Sequence, residues 1–162
     1  MHPFWWFVSK QKSTNLLCND YDDTYSDGFE KIGIKPFLDL QDYPVNWVRC
    51  KYAGSAIYWF LFQDLPANAA TIISAELKFL ARMDTSIPYM YILTHNGIDS
   101  ATSYKALAGS VGEWYLQGFD ATSRFDTVTK VNAAKVGFNL ANYWGDYLNI
   151  DLAYLVVTYK IA

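Results

Sequence analysis

Two histidines, two cysteines and a scatter of carboxylates are the groups of this 162-residue chain that could do chemistry. His2 sits near the terminus and His95 directly precedes an Asn-Gly pair. A nucleophilic triad or a histidine-based metal centre needs that ring among convergent partners. Neither neighbourhood offers them, and His95 reads as a turn residue. Cys18 and Cys50 have no histidine at ligand spacing, so they read as reduced thiols packed as small apolar groups, with a disulfide as the lesser alternative. The acidic run Asn19-Asp20-Tyr21-Asp22-Asp23 places Asp20, Asp22 and Asp23 where their oxygens could meet calcium. An EF-hand loop wants glycine at its sixth position and glutamate at its twelfth; counted from Asp20 those places hold Tyr25 and Lys31. A solvated turn is the better reading, and no metal is expected. Paired carboxylates can hydrolyse glycosides, but among so many aspartates some pair falls together by chance, and Glu113 beside Trp114 reads as a surface charge. No glycine-rich phosphate cradle occurs. The expectation is a protein with no catalytic residues and no cofactor, not an enzyme.

The aromatic residues are the other candidates, since 18% of the chain is Phe, Trp or Tyr. Tyr143, Trp144 and Tyr147 crowd a probable loop around Gly145, with Trp114-Tyr115 nearby in sequence. Exposed rings give flat apolar faces on which sugars stack, while Asp and Asn bind hydroxyls. Core or subunit interface is the plainer reading of the same rings. A second block, Phe4-Trp5-Trp6-Phe7, precedes the polar stretch Ser9–Asn15. As an exposed strand it would invite aggregation, so something must cover it. Residues 1–17 read as an arm that packs on a neighbouring subunit, or as an edge strand of the same fold, ahead of a single domain over 18–162.

These groups need elements to position them. Among the acids only Glu30, Glu76 and Glu113 are glutamates, and among the bases only Arg49, Arg82 and Arg124 are arginines. Aspartate favours turns and caps, whereas the plentiful Tyr, Phe, Trp, Ile, Val and Thr favour strands. With a net charge of −3, a nucleic-acid surface built on positive charge is excluded. No apolar run approaches the ~20 residues of a spanning helix, and the first residues lack a basic leader and a small-residue cleavage site, so no secretory signal is expected.

Strand patterns are regular from Gly33 onward. Ile34–Leu40, interrupted by Pro36, suits an edge strand. Asn46–Tyr52 alternates, Ala53-Gly54-Ser55 turns, and Ala56–Leu65 is apolar on both faces. Thr71–Arg82 also matches helical spacing, but strand alternation is longer: Ile73, Ala75, Leu77, Phe79 and Ala81 inward, Ser74, Glu76, Lys78 and Arg82 outward, with Leu80 out of place. Ile87–Thr94 is a strand followed by an Asn96-Gly97 hairpin turn. Ser103–Leu107, Gly112–Gln117 and Phe125–Val131 are weaker strands, and one short helix fits within 100–108 or 133–143. Asn149–Ile161 is apolar on both faces, as in a central strand or one covered by a partner. Eight to ten strands make an all-β, jelly-roll-type antiparallel β-sandwich.

The run Phe60-Leu61-Phe62-Gln63-Asp64-Leu65-Pro66, followed by Ala70-Thr71-Ile72-Ile73-Ser74-Ala75-Glu76-Leu77-Lys78-Phe79, resembles a core that recurs in jelly-roll domains. These include DNRLRE-type modules of cell-surface proteins and similar sandwiches of phage and archaeal-virus structural proteins. Val136-Gly137-Phe138 and Leu152–Tyr159 look like the end of that module. The likeness spans residues 45–83 and 134–162 and implies a non-catalytic jelly roll.

Two functions follow as expectations. The first is a structural subunit of a virus particle (capsid, capsid-decorating or tail protein), located in the virion. It would assemble as a homo-oligomer, such as a trimer, with other particle subunits through apolar surfaces and an interface at Phe4, Trp5, Trp6 and Phe7. The second is a carbohydrate-binding or adhesin module with a glycan stacked on Tyr143, Trp144 and Tyr147. Neither needs nucleic acid or a membrane span.

Overall fold

The computed structural model describes residues 10–25, 29–32, 47–50, 57–84, 89–140 and 148–162. Among them, ten strands follow in order: β1 (Gln11–Tyr25), β2 (Phe29–Ile32), β3 (Trp47–Cys50), β4 (Ile57–Phe62), β5 (Ala69–Met83), β6 (Tyr89–His95), β7 (Ser100–Ala106), β8 (Tyr115–Asp120), β9 (Lys135–Leu140) and β10 (Leu148–Ile161). One helix, α1 (Val128–Asn132), lies between β8 and β9. Every pairing is antiparallel. The first layer runs β2-β3-β10-β5-β8 and the second runs β4-β9-β6-β7. The protein is an all-β, jelly-roll-type sandwich.

β1 belongs to both layers. Gln11–Leu17 pair with Lys160–Tyr154 of β10, whereas Cys18–Tyr25 pair with Phe62–Ile57 of β4, and the register shifts between Cys18 and Asp20. A bulge bends and twists a strand, which lets one strand turn the corner between two sheets. The boundary expected between residues 17 and 18 therefore falls inside a strand, where it changes layer. Phe4, Trp5, Trp6 and Phe7 lie outside the described residues, as does the Ile34–Leu40 run.

Alternation sets what each layer buries. On β5, Ala75, Leu77, Phe79 and Ala81 point inward and are buried. Ile73 shares their parity yet stays 38% exposed, next to a register shift between β5 and β10. On β10, Ala153, Leu155, Val157 and Tyr159 are buried, while Leu152, Tyr154 and Val156 on the other face are half-buried. β10 is central: β5 lines one edge, and β3 and then β1 line the other. Phe79 of the first layer and Phe60 of the second both meet Phe138, at 4.7 and 5.4 Å between ring centres. These three rings tie the layers together through the core.

The short helix does not lie within 100–108 or 133–143; those stretches contain β7 and β9. It occupies part of the strand expected over Phe125–Val131. Local capping overrides the weak alternation there. The Thr127 hydroxyl accepts a hydrogen bond from Lys130 N, and the Lys130 ammonium pairs with Asp126 at 2.8 Å, one turn back. Val131 anchors the turn in the core.

Candidate functional site

The hairpin β6–β7 builds the first half of the site. Its four-residue connection is closed by the Asn96 side chain, whose Oδ1 accepts from the amides of Ile98 and Asp99 at 3.0 Å each. Gly97 sits at φ +85°, and a Cβ there would come within 2.7 Å of Ala133 Cβ, so glycine is required. Arg124 clamps the connection from outside: its guanidinium donates to Asp99 Oδ1 at 2.7 Å, to Asp99 O at 3.0 Å and to Thr94 Oγ1 at 3.2 Å. That contact holds the Asp99 carboxyl below its ordinary range.

The closed connection fixes a register in which Tyr91 faces Tyr104 and His95 faces Ser100. Met90 and Ile92 go into the core, which sends Tyr89 and Tyr91 outward on the same face as Tyr104. Tyr89 stacks on Tyr104 with ring centres 4.9 Å apart and planes 14° apart, and Tyr91 leans on Tyr104 at 5.6 Å. These rings stay open to solvent, at 37%, 36% and 58% for Tyr89, Tyr91 and Tyr104. Partial desolvation, and after it the electrostatic influence of Tyr89 and Tyr91, push the Tyr104 phenol up. The residues beside this cluster in register, Ala106, Leu93, Thr102 and Asn139, carry no charge.

The second half lies at the other end of β6. Across the second layer, Asp20, Leu61, Lys135, His95 and Ser100 form one row, each partner to the next. In the adjacent row Trp59 pairs with Gly137 and Gly137 with Leu93. Gly137 has no side chain, so the Trp59 ring can reach across β9 to His95, which it meets edge-on at 6.3 Å. Ser100 Oγ holds the other side of the imidazole, 3.0 Å from Nδ1. Beyond this row opens a cleft of about 450 Å³, lined by Asn19, Asp20, Leu61, His95, Asn132 and Lys135 among others. A cleft of mixed polar and apolar lining beside an exposed aromatic surface can bind a ligand with both hydroxyls and apolar faces.

The residues singled out from sequence fare unevenly. Tyr143, Trp144 and Tyr147 lie outside the described residues. Of the acidic run, Asp20 lines the cleft and accepts from Tyr21 N at 2.8 Å; the side chains of Asp22 and Asp23 lie outside the described ones. Among the described residues no three His, Cys, Asp or Glu side chains gather as a metal site would need. Cys18 and Cys50 are both buried thiols, and burial pushes the Cys18 thiol up to about 12. His95 is no bare turn residue but the last residue of β6 and part of the cleft wall. Trp114 and Tyr115 border the first layer: the Arg82 guanidinium covers Trp114 at 5.0 Å, and Tyr115 OH donates to Glu113 Oε2 at 3.0 Å. Sequence reading missed Tyr89, Tyr91, Tyr104, Trp59 and Lys135. Tyr89 and Tyr91, two apart in a strand, were the available clue.

No protein-family model matches the chain, and no curated protein matches it. Among solved structures it is similar to a variant of a family 29 carbohydrate-binding module, at 12% identity over 90% of this chain and 93% of the other, with a TM-score of 0.49. A second family 29 module matches at 13% identity over 90% and 89% of the two chains, TM-score 0.48. A family 61 module in complex with β-1,4-galactotriose matches at 12% identity over 91% and 88%, TM-score 0.44. These similarities reach fold level only. They are similarities to carbohydrate-binding modules, and the expected virus-particle subunit is corrected accordingly. The inward face of β10 is buried inside the chain's own sandwich, whereas Leu152, Tyr154 and Val156 on its outer face are half-buried, and Phe4, Trp5, Trp6 and Phe7, the expected homo-oligomer interface, lie outside the described residues. The expected particle partners go with the corrected role. No described helix is long and apolar enough to cross a membrane.

Proposed function

We propose that this protein is a non-catalytic module that binds carbohydrate on the outer face of its second layer. The observation that carries the reading is the tyrosine cluster: three phenol rings, Tyr89 stacked on Tyr104 and Tyr91 tilted against it, open to water and free of charged neighbours in register. Folding alone gives no reason to hold three rings outside the core, and a contiguous exposed aromatic patch marks a binding surface. Sugars present C–H faces that stack on such rings and hydroxyls that need donors and acceptors. The cleft supplies these at Asp20, Asn19 and Lys135. Nearby, Trp59 and His95 offer a second ring surface.

A glycan array followed by calorimetric titration tests the reading. Binding is expected, weakened roughly tenfold (about 1.4 kcal/mol) by Tyr104→Ala with an unchanged melting temperature. A silent array, or a Tyr104→Ala protein that binds as the parent does, overturns it.

A further inference from the structure

Resting on the carbohydrate reading above, we propose that the ligand is an extended, linear, uncharged glycan. It lies along β6 with one end on the tyrosine cluster and the other on the Trp59–His95 pair at the cleft.

The two ring clusters share one face of the second layer. Tyr91 and His95 are four residues apart on β6, so alternation points both the same way. At the rise of a strand they stand about 13 Å apart. One pyranose ring covers one cluster and cannot touch the other, whereas a chain of several units reaches both. In the intervening row β6 carries Leu93, β7 carries Thr102, and β9 carries Gly137, where the Trp59 ring of the same row crosses toward His95. The second ring surface therefore begins within this row, and Thr102 places a hydroxyl where a chain would pass.

Charge selects the class. On β6, β7 and β9 the tyrosine end and this middle row hold no ionisable group except the phenols, and beyond Trp59 the row ends at Asp22 of β1, a further acidic residue. At the cleft end Asp20 and Lys135 stand in the same row, one carboxylate against one ammonium. Such a track offers no net attraction to a polyanionic chain. A ligand that touches both clusters gains from linkage, because the second contact forms at high effective concentration.

The test is titration of the whole protein with β-1,4-linked gluco-, manno- and galacto-oligosaccharides from disaccharide to hexasaccharide, beside an oligogalacturonate series. For the series that binds, affinity should rise at least about tenfold from disaccharide to hexasaccharide and then level off. Trp59→Ala and Tyr104→Ala should each erase that rise while leaving the disaccharide bound at the remaining cluster. If Trp59→Ala does not fold, as circular dichroism would show, His95→Ala interrogates the same end. Equal affinity for all lengths sinks the extended-ligand proposal but leaves the carbohydrate reading intact. So does a length gain that survives loss of the Trp59–His95 pair. Preference for oligogalacturonates overturns the uncharged class. Absence of binding in every series removes the carbohydrate reading itself.

Discussion

The outer faces of the two layers are built by the same alternation and end up unlike each other. On the first layer, charge is paired and rings are covered. Lys78 Nζ lies 2.7 Å from Glu76, Arg82 and Arg49 share Asp84 at 3.1 and 3.8 Å, and the Arg82 guanidinium roofs Trp114. On the second layer, among the described residues, no cation covers the tyrosine rings, and Tyr89 and Tyr91 both meet Tyr104. A cation held over a ring occupies the face on which a sugar would stack. The contrast teaches that aromatic content alone does not mark a binding face. What marks it is whether the rings are capped by the protein's own side chains.

The bluntest way to break the comparison is to remove what both faces depend on. Phe138→Ala deletes the ring that contacts Phe60 and Phe79. Denaturant unfolding should show a loss of about 3–5 kcal/mol. Gly137→Val acts on the second layer alone by filling the gap that Trp59 crosses. Overpacking should cost roughly 1–3 kcal/mol, and tryptophan fluorescence should report a displaced Trp59. Preserved stability with an unmoved spectrum would mean that the missing side chain does not position that ring. Thr127→Ala removes the cap of α1, whose following residues line the cleft. A loss of about 1 kcal/mol is expected on thermal melting.

A gentler pair sharpens the comparison. Trp114→Ala on the first layer should leave glycan affinity within a factor of about two, since surface changes away from a site move energies by only ~0.5 kcal/mol. If it weakens binding as strongly as Tyr104→Ala, the covered face is also part of the site.

The smallest effect is in acid, where two carboxylates answer in opposite senses. Asp99, on the β6–β7 connection, is held below its ordinary value by Arg124. Its stabilising contribution is present above the ordinary aspartate pKa of about 3.9 and lost as the pH falls further. Asp151 of β10 is buried, with Oδ1 accepting from Leu152 N and Oδ2 without a partner among the described residues; burial pushes its carboxyl up. Stability tied to Asp151 is therefore greatest in acid and is lost as the pH rises past the ordinary range. Asp151→Asn should remove that loss, and Asp99→Asn should remove the acid-side one. Melting temperature measured from pH 3 to 7 would show both slopes, and an unchanged profile in either variant would dismiss that assignment.

Much of the scaffold was legible from residue types. Ala75, Leu77, Phe79 and Ala81 alternate against charged neighbours, and β5 buries them as the pattern demands. The doubly apolar β10 was readable as a central strand. The helix was not, because Phe125–Val131 mimics alternation and only the Thr127 cap with the Asp126–Lys130 pair decides otherwise. The site was harder still. Tyr89 and Tyr91 are visible as a pair, but their meeting with Tyr104 depends on the length of the turn. A two-residue Asn-Gly turn would set residue 95 against 98 and Tyr91 against Thr102. The side-chain closure by Asn96 makes the connection longer by two, which brings Tyr104 opposite Tyr91. Trp59 and His95 lie far apart in sequence and meet only through β9, which no local pattern reveals.

The strand that all of the first layer leans on comes after every one of its partners. β10 joins β5 to β3 and β1, so until it exists β5 and β8 form a bare ribbon and β1 has nothing to hold on that side. Pairings across such sequence distance are slow to form. During synthesis on the ribosome, a half-built sandwich must wait with its hydrophobic inner surface uncovered, and in that interval the nascent chain is most open to chaperones.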